Sequence, residues 1–244
     1  MNYQDTTIII PTFNEEKNIA QLIDKIKKLL PKAKIIVSDD GSLDKTQVTV
    51  KKAAKKWAKG SKEEKGEKEE SVILLDRTKT LVHGLTVSVI DAINLCKTSY
   101  FVVIDADFQH PPEKIKEVVN KLRASVEIVV GNRIKVSEDW SVSRIIISKT
   151  AYMLGYLRLL LKKFPKYDIV SGFFGGRTEL AKQVIAQNYS KFELKGYKVL
   201  FDILKYLPSN AKIDKVDYEF GIRKAGQSKL NKKVMFYYLR SLFK

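Results

Sequence analysis

One cysteine and two histidines in 244 residues leave few of the side chains that staple small folds or hold soft metals. Cys96 alone excludes an intrachain disulfide and a cysteine zinc site, and it points to a reducing compartment. Its surroundings place it on the inner face of a helix. His83 and His110 are too few for a histidine-rich metal centre, and His110, directly before Pro111 and Pro112, reads as a structural wedge. Glycine fingerprints are missing too: there is no Gly-x-Gly-x-x-Gly and no Gly-x-x-x-x-Gly-Lys-Ser/Thr, so neither a dinucleotide fingerprint nor a P-loop is present. Neither His-Glu-x-x-His nor Gly-x-Ser-x-Gly occurs. The chain also lacks an uninterrupted membrane span. Ile145 to Leu161 is apolar but contains Lys149 and Arg158, each costing roughly 2.5–3.5 kcal/mol near a bilayer centre. A core helix or a helix lying on a membrane surface remains. No leader pattern precedes the first strand at Thr6, and the sequon at Asn188 has no accompanying sign of secretion.

Negative charge is in short supply as well. Lys plus Arg number 45 against 28 Asp plus Glu, a formal charge of +17. Such a balance favours anionic partners, whether nucleic acid, phospholipid or a phosphorylated substrate, and equally describes a solubilising lysine surface.

What is there alternates. Thr6–Ile10 is a β-branched run closed by Pro11, followed by amphipathic spacing at Ile19, Leu22, Ile23, Ile26 and Leu30. Ala33–Val37 ends in Ser38, Asp39, Asp40, Gly41, Ser42, Leu43 and Asp44, and Asp44 can cap a helix running through Trp57. The second half of Lys51–Glu70 is Lys/Glu-rich and reads as a solvated extension. Strand and helix follow at Val72–Leu75 and Leu85–Leu95, then Tyr100–Ile104, a helix over 112–122, and a strand over 127–130 ending at Arg133. Val170–Gly176 reads as a strand, and Val216, Tyr218, Phe220 and Ile222 alternate as another. This order predicts an α/β fold with a mostly parallel sheet covered by helices on both faces. At this length about 70–75 % of the unfolded surface can be buried without a staple.

In such sheets ligands bind beyond the carboxyl ends of the strands. Pro11–Glu15, Ser38–Asp44 and Asp105–His110 all fall there, with Arg133 as a fourth contribution. If the chain stays extended after Ile104, then Asp105, Asp107 and Gln109 project to one side and offer oxygens to a hard cation such as Mg²⁺ or Mn²⁺.

PTFNEE, DDGSLDKT, DADFQHPP, GNR, SGFF and GIRKAGQSKL, in this order, resemble the dolichol-phosphate mannose synthases and related family-2 glycosyltransferases of GT-A fold. The likeness spans about Thr6 to Arg240. It implies that Pro11, Phe13, Glu15, Ser38 and Asp40 hold the nucleotide base and that Asp105 and Ala106 contact the nucleoside. Asp107 and Gln109 would ligate the metal. Arg133, Arg223 and Lys229 would bind phosphates, with Asp107, Arg133, Arg144 and Arg223 central to catalysis and Arg144 with Ser148 taking the acceptor phosphate. Residues 1–230 would form the catalytic domain and 231–244 an amphipathic juxtamembrane segment, at a point where some relatives continue into membrane helices. One stretch, KTLVHGLTVS, departs from the glycine-rich turn of many relatives.

The expected activity is metal-dependent, inverting transfer of mannose from GDP-mannose to dolichol phosphate. The expected location is the cytosolic face of an anionic membrane, with no nucleic-acid partner. A UDP-sugar donor, glucose or GlcNAc, is the alternative, because Glu15 and Asp40 can accept from guanine or uracil alike. A basic membrane- or nucleic-acid-binding module without chemistry is the alternative of another class.

Overall fold

The computed structural model describes residues 2–59, 70–136, 142–162, 164, 167–225 and 232–244, without the side chains of 59, 142–148, 161 and 232–234. Among them seven strands form one sheet: β1 (Thr6–Thr12), β2 (Lys34–Asp39), β3 (Val72–Asp76), β4 (Tyr100–Val103), β5 (Ile128–Val136), β6 (Phe174–Arg177) and β7 (Ile213–Phe220). Their spatial order is β3-β2-β1-β4-β6-β5-β7. Only β6 runs against its neighbours β4 and β5. The helices are α1 (Ile19–Leu29), α2 (Thr46–Lys59), α3 (Leu85–Leu95), α4 (Ile115–Arg123), α5 (Val142–Leu159), α6 (Thr178–Asn188), α7 (Val199–Tyr206) and α8 (Lys232–Phe243). The α/β architecture expected from the sequence is the one observed.

β1 is central and buried along its whole length. Its alternation divides it between two cores: Ile9 packs with α3, α6 and α7, and Ile8 and Ile10 pack with α1 and α4. Proline is tolerated at position 11 because β4 has already left the sheet. Pairing with β4 stops at Ile9–Val103, and residue 11 turns its nitrogen to that vacated side. Beyond this point β1 pairs with β2 alone, through Pro11–Ser38 and Thr12–Asp39. The order of connections reverses between β1 and β4, so a crevice opens at their carboxyl ends.

Several expected elements shift. The expected strand at 170–176 is shorter and later, because Ser171 makes a tight turn: its hydroxyl donates to the Phe173 carbonyl and accepts the Phe173 N–H, both at 3.1 Å. β5 is longer than expected, since β7 pairs with it as far as Val136–Phe220. Arg133 therefore sits within a strand. Cys96 is buried one residue past α3, where its N–H and thiol both donate to Ala92 O. The Lys/Glu-rich stretch begins as the second half of α2, with Ala53 buried and Trp57 donating to Asp24 at 2.8 Å; 60–69 lies outside the described residues.

α8 packs on α5 and α7. Tyr238 donates its hydroxyl to Ala151 O, Lys205 donates to Ser241 O at 2.6 Å, and Arg158 donates to Leu242 O at 3.0 Å. Lys205 is itself buried and paired with Asp202 at 2.7 Å, which lets a charge sit under the helix. Among the described residues no helix is long and apolar enough to cross a membrane.

Candidate active site

The loops after β1 and β2 are stitched together. Asn14, held at φ 56°, donates its N–H to Ser42 Oγ at 2.8 Å and accepts the Leu43 N–H on its side chain at 2.8 Å. The Glu16 N–H reaches Asp44 at 3.1 Å, and Asp44 also caps α2 through the Thr46 N–H at 2.9 Å. Of the two acids closing β2, Asp39 is completely buried and takes donors from Thr12, Ser42 and Gln47. That satisfies a desolvated carboxylate and makes it a structural post. Asp40 is turned toward α3: Arg77 Nη1 and His83 Nδ1 (3.1 Å) meet Oδ1, and the Gly84 N–H donates to Oδ2 at 2.8 Å. Arg77 is 1 % exposed and also pairs with Asp91 at 2.8 Å.

After β4 the chain turns instead of staying extended. Phe108 adopts φ 66°, and the Gln109 N–H bonds back to Asp107 Oδ1 at 3.0 Å, an Asx turn. The turn buries both Asp107 and Gln109. Their oxygens converge on one cation: Arg223 places Nη1 2.7 Å from Asp107 Oδ2 and Nη2 3.0 Å from Gln109 Oε1. The strand end after β7 is locked to the same turn, since the Gly221 N–H donates to Gln109 O (2.9 Å) and the Lys224 N–H to Asp107 O (3.1 Å). Burial pushes the Asp107 pKa upward, the Asp105 charge adds to this, and Arg223 opposes it. A hard divalent cation suits this donor set, a carboxylate and an amide oxygen already drawn toward positive charge. Among the described residues no group of three acidic, His or Cys side chains forms a cluster that could hold a metal, so Asp107 and Gln109 would share such an ion with other oxygens.

Asp105 faces elsewhere. Its carboxylate lies 3.6 Å from His110 Nδ1 and over Gly172, where an added Cβ would come within 2.9 Å of Oδ2. His110 is buried among Phe173, Tyr218 and Phe220, with ring centroids 5.6–5.7 Å away. It accepts the Asp105 N–H at Nδ1 (3.3 Å), and burial lowers its pKa to about 4, so the ring is a neutral prop. Arg133 leaves β5 across the Phe220 ring and grips Asp168 with two donors, Nε at 2.5 Å and Nη2 at 3.2 Å. Lys198, at the start of α7, donates to Val170 O at 2.6 Å and lies 4.4 Å from the Tyr197 ring centroid. Burial, with Arg133 as a second cause, lowers the Lys198 pKa to about 8, against the pull of Asp168 and Asp105.

The structure thus brings Asp105, Ala106, Asp107, Gln109, Arg133 and Arg223 to one strand-end edge, with Pro11, Glu15 and Asp40 along the neighbouring ends of β1 and β2. Ala106 and Pro11 are buried there, Phe13 is 40 % exposed, and Glu15 accepts from Asn18 at 2.9 Å. Ser38 is not brought to the surface of the edge: it is fully buried, and its hydroxyl donates to Ser88 O at 2.9 Å, fastening β2 to α3. Arg144 and Ser148 fall on α5 with side chains outside the described residues, and Lys229 lies outside them altogether. Asp168, Lys198, Arg77 and His83 were not singled out by sequence. Arg77 directly follows a parallel strand, so the strand-end rule could have found it. Nothing in the local pattern marks Asp168 or Lys198.

The sequence matches the glycosyl transferase family 2 description over residues 7–185, and the chain belongs to that family. It is 35 % identical to a dolichol-phosphate mannosyltransferase of Pyrococcus furiosus over 98 % of this chain and 62 % of that protein. The chain therefore spans about three-fifths of that relative's length. The Saccharomyces cerevisiae dolichol-phosphate mannosyltransferase is 28 % identical over 97 % of this chain and 85 % of its own. A Mycobacterium tuberculosis glucosyl-3-phosphoglycerate synthase, crystallised with Mn²⁺, UDP and phosphoglyceric acid, has a TM-score of 0.64 at 18 % identity, covering 97 % of this chain and 78 % of its own. That likeness is one of fold, and the fold is GT-A. Family membership sets aside a basic binding module without chemistry.

Proposed function

We propose that the chain transfers a hexose from a nucleoside diphosphate sugar to a polyprenyl phosphate, with GDP-mannose and dolichol phosphate as the preferred pair. The observation that carries this reading is the gathering of Asp107 and Gln109 oxygens and the Arg223 guanidinium at the β1/β4 crevice. Breaking the anomeric C–O bond leaves negative charge on the diphosphate. A Mg²⁺ or Mn²⁺ ion held by Asp107 and Gln109 would supply Lewis-acid stabilisation of that charge. Arg223 adds paired N–H donors of fixed geometry at the same point. An acceptor phosphate with a second pKa of about 6 is already largely an oxyanion at neutral pH, so it needs positioning and no general base. Arg133, oriented by Asp168, and Lys198 supply positive charge on that side of Asp105. Single displacement at the anomeric carbon inverts its configuration. The names of the dolichol-phosphate mannosyltransferase relatives support the lipid acceptor.

The reading includes an anionic cytosolic membrane surface. It is supported by the +17 charge and by two exposed apolar stripes: Met153, Leu157 and Leu160 at the end of α5 and just beyond it, and Phe236, Leu239 and Phe243 on α8.

A donor panel tests the proposal: GDP-mannose, UDP-glucose and UDP-GlcNAc, each with a polyprenyl phosphate and Mg²⁺ or Mn²⁺. Mannosyl transfer from GDP-mannose is expected, abolished by EDTA. Asp107→Asn is expected to lower it by roughly 100-fold or more with the thermal midpoint retained. Transfer from a UDP-sugar alone would replace the donor assignment, and no lipid-linked product with any donor would end the reading.

A further inference from the structure

The donors that suit Arg223 to a leaving diphosphate are already engaged in the fold. One edge of its guanidinium lies across the two oxygens assigned to the metal: Nη1 is 2.7 Å from Asp107 Oδ2 and Nη2 is 3.0 Å from Gln109 Oε1. Both acceptors are held from behind. The other Asp107 oxygen takes the Gln109 N–H at 3.0 Å, and the Gln109 amide is oriented by its Nε2, which donates to Gly221 O at 3.2 Å. Neither side chain can carry its oxygen to a new place without breaking one of these bonds. An ion that touches Asp107 Oδ2 and Gln109 Oε1 together, at roughly 2.0–2.6 Å from each, must therefore lie on the side that the guanidinium edge now faces.

Two cations cannot share that place. The Asp107 side chain is 6 % exposed and that of Arg223 19 %, so water screens little there. Like charges in such a setting repel strongly, and an arginine stays charged at any working pH. Arg223 has to turn away before both oxygens hold an ion, and only its side chain is free to do so. The backbone of 221–225 is tied down: the Gly221 N–H donates to Gln109 O at 2.9 Å and the Lys224 N–H to Asp107 O at 3.1 Å. Asn18 Nδ2 donates to Ala225 O at 3.2 Å, and Lys224 Nζ donates to Gln21 Oε1 at 2.6 Å, which fasten the same segment to α1. Turning the guanidinium away costs two charge-assisted hydrogen bonds, a loss offset when another anion accepts the same paired donors. A diphosphate is such an anion, since the guanidinium fork matches phosphate oxygens.

We propose that Arg223 guards the metal site: its guanidinium holds Asp107 and Gln109 until a nucleoside diphosphate accepts its N–H donors, so that the ion is held tightly only together with the donor. This rests on the nucleotide-sugar reading above, and it adds to that reading a coupling between the two ligands.

The test is equilibrium binding of Mn²⁺ alone, followed by the paramagnetic resonance signal of the free ion, and of GDP at saturating Mn²⁺, followed by calorimetry. Both are measured on the full chain and on Arg223→Lys, Arg223→Met and Asp107→Asn. A contact that occupies the two oxygens about nine-tenths of the time weakens apparent affinity about 10-fold, so Mn²⁺ alone should bind Arg223→Met about 10-fold more tightly than wild type. GDP with Mn²⁺ should bind the same variant about 10-fold more weakly, for want of paired donors to phosphate. The opposite signs separate a guard from a merely structural residue, whose loss weakens both. Arg223→Lys, a point charge that cannot span two oxygens, should fall between for Mn²⁺, and it keeps a cation beside the buried Asp107 should Arg223→Met fail to fold. Mn²⁺ affinity unchanged or lower in the Arg223 variants overturns the inference, while GDP binding by wild type leaves the nucleotide-sugar reading standing. GDP binding undiminished in Arg223→Met also overturns it, because no donors then pass to the diphosphate. So does Mn²⁺ binding that Asp107→Asn leaves intact, and wild type that binds neither Mn²⁺ nor GDP overturns both.

Discussion

Lys198 shows how a single side chain can be costly to the fold and useful to the site. The residue is only partly exposed, burial of its ammonium and the charge of Arg133 oppose protonation, and its pKa falls to about 8. Above pH 8 the folded chain begins to release a proton that the unfolded chain keeps up to about pH 10.4. The unfolded state then binds more protons, so stability rises with pH across that window. Below pH 8 both states are protonated and the full penalty applies. Measured by urea unfolding, wild-type stability relative to Lys198→Met should therefore rise between pH 7.5 and 10. The gain should be about 1–2 kcal/mol, less than the full shift implies because the partly exposed side chain can turn its ammonium toward water. The same variant should transfer sugar more slowly at every pH. A flat stability difference would mean that the ammonium is solvated. Asp105, Asp107 and Gln109 were legible as residues because three acceptors end an apolar run. Their division of labour was not, since it depends on the positive φ at Phe108 and on Arg223, which follows in sequence by more than a hundred residues.

At the scale of elements, the crevice is built from loops that hold one another. Gly84 opens α3 at φ 154°, and an added Cβ would lie 2.7 Å from Leu194 O and 2.8 Å from Lys195 Cα. Both are backbone atoms that cannot rotate aside. Gly84 also supplies the N–H that Asp40 accepts, and α3 takes two more bonds from the same loop, Thr86 N–H to Gly196 O and Val87 N–H to Leu194 O. Gly84→Ala is expected to cost about 2–4 kcal/mol, because strain at a backbone position closed to side chains adds to overpacking. A thermal midpoint within one degree of wild type would contradict this. Helices α6 and α7 were not read from the sequence, whereas the strands and α1 to α5 were legible as elements from local pattern. Their ends moved where tertiary partners intervened: β5 lengthens to follow β7, and the expected strand at 170–176 yields its first residues to the Ser171 turn. Local pattern carries no information about a partner strand that far along the chain.

For the whole molecule, the question is what the exposed apolar stripes of α5 and α8 are for. Met153, Leu157, Phe236 and Leu239 are 45–65 % exposed, so changing them removes little folded-state packing. Leu157→Asp combined with Phe236→Asp should therefore leave the thermal midpoint nearly unchanged. Co-sedimentation with phosphatidylserine-containing vesicles should drop about 10-fold or more, since apolar insertion and anionic attraction both weaken. Retained vesicle binding, or binding that ignores lipid charge, would remove the membrane surface from the proposal.

The strand-end acids, the alternation of elements and the excess of basic charge are written in the sequence, because they depend on residue type and short-range spacing. From them the α/β fold follows, and so does the edge at which ligands bind. The tertiary structure decided which of those acids are available. Asp39 and Ser38 are spent inside, Asp40 is shared with Arg77 and His83, and Asp107 and Gln109 are drawn to a guanidinium from the far end of the sheet. A carboxylate's role is set by the donors that reach it, and here most of those donors arrive from elements distant in sequence, which only the folded sheet brings together.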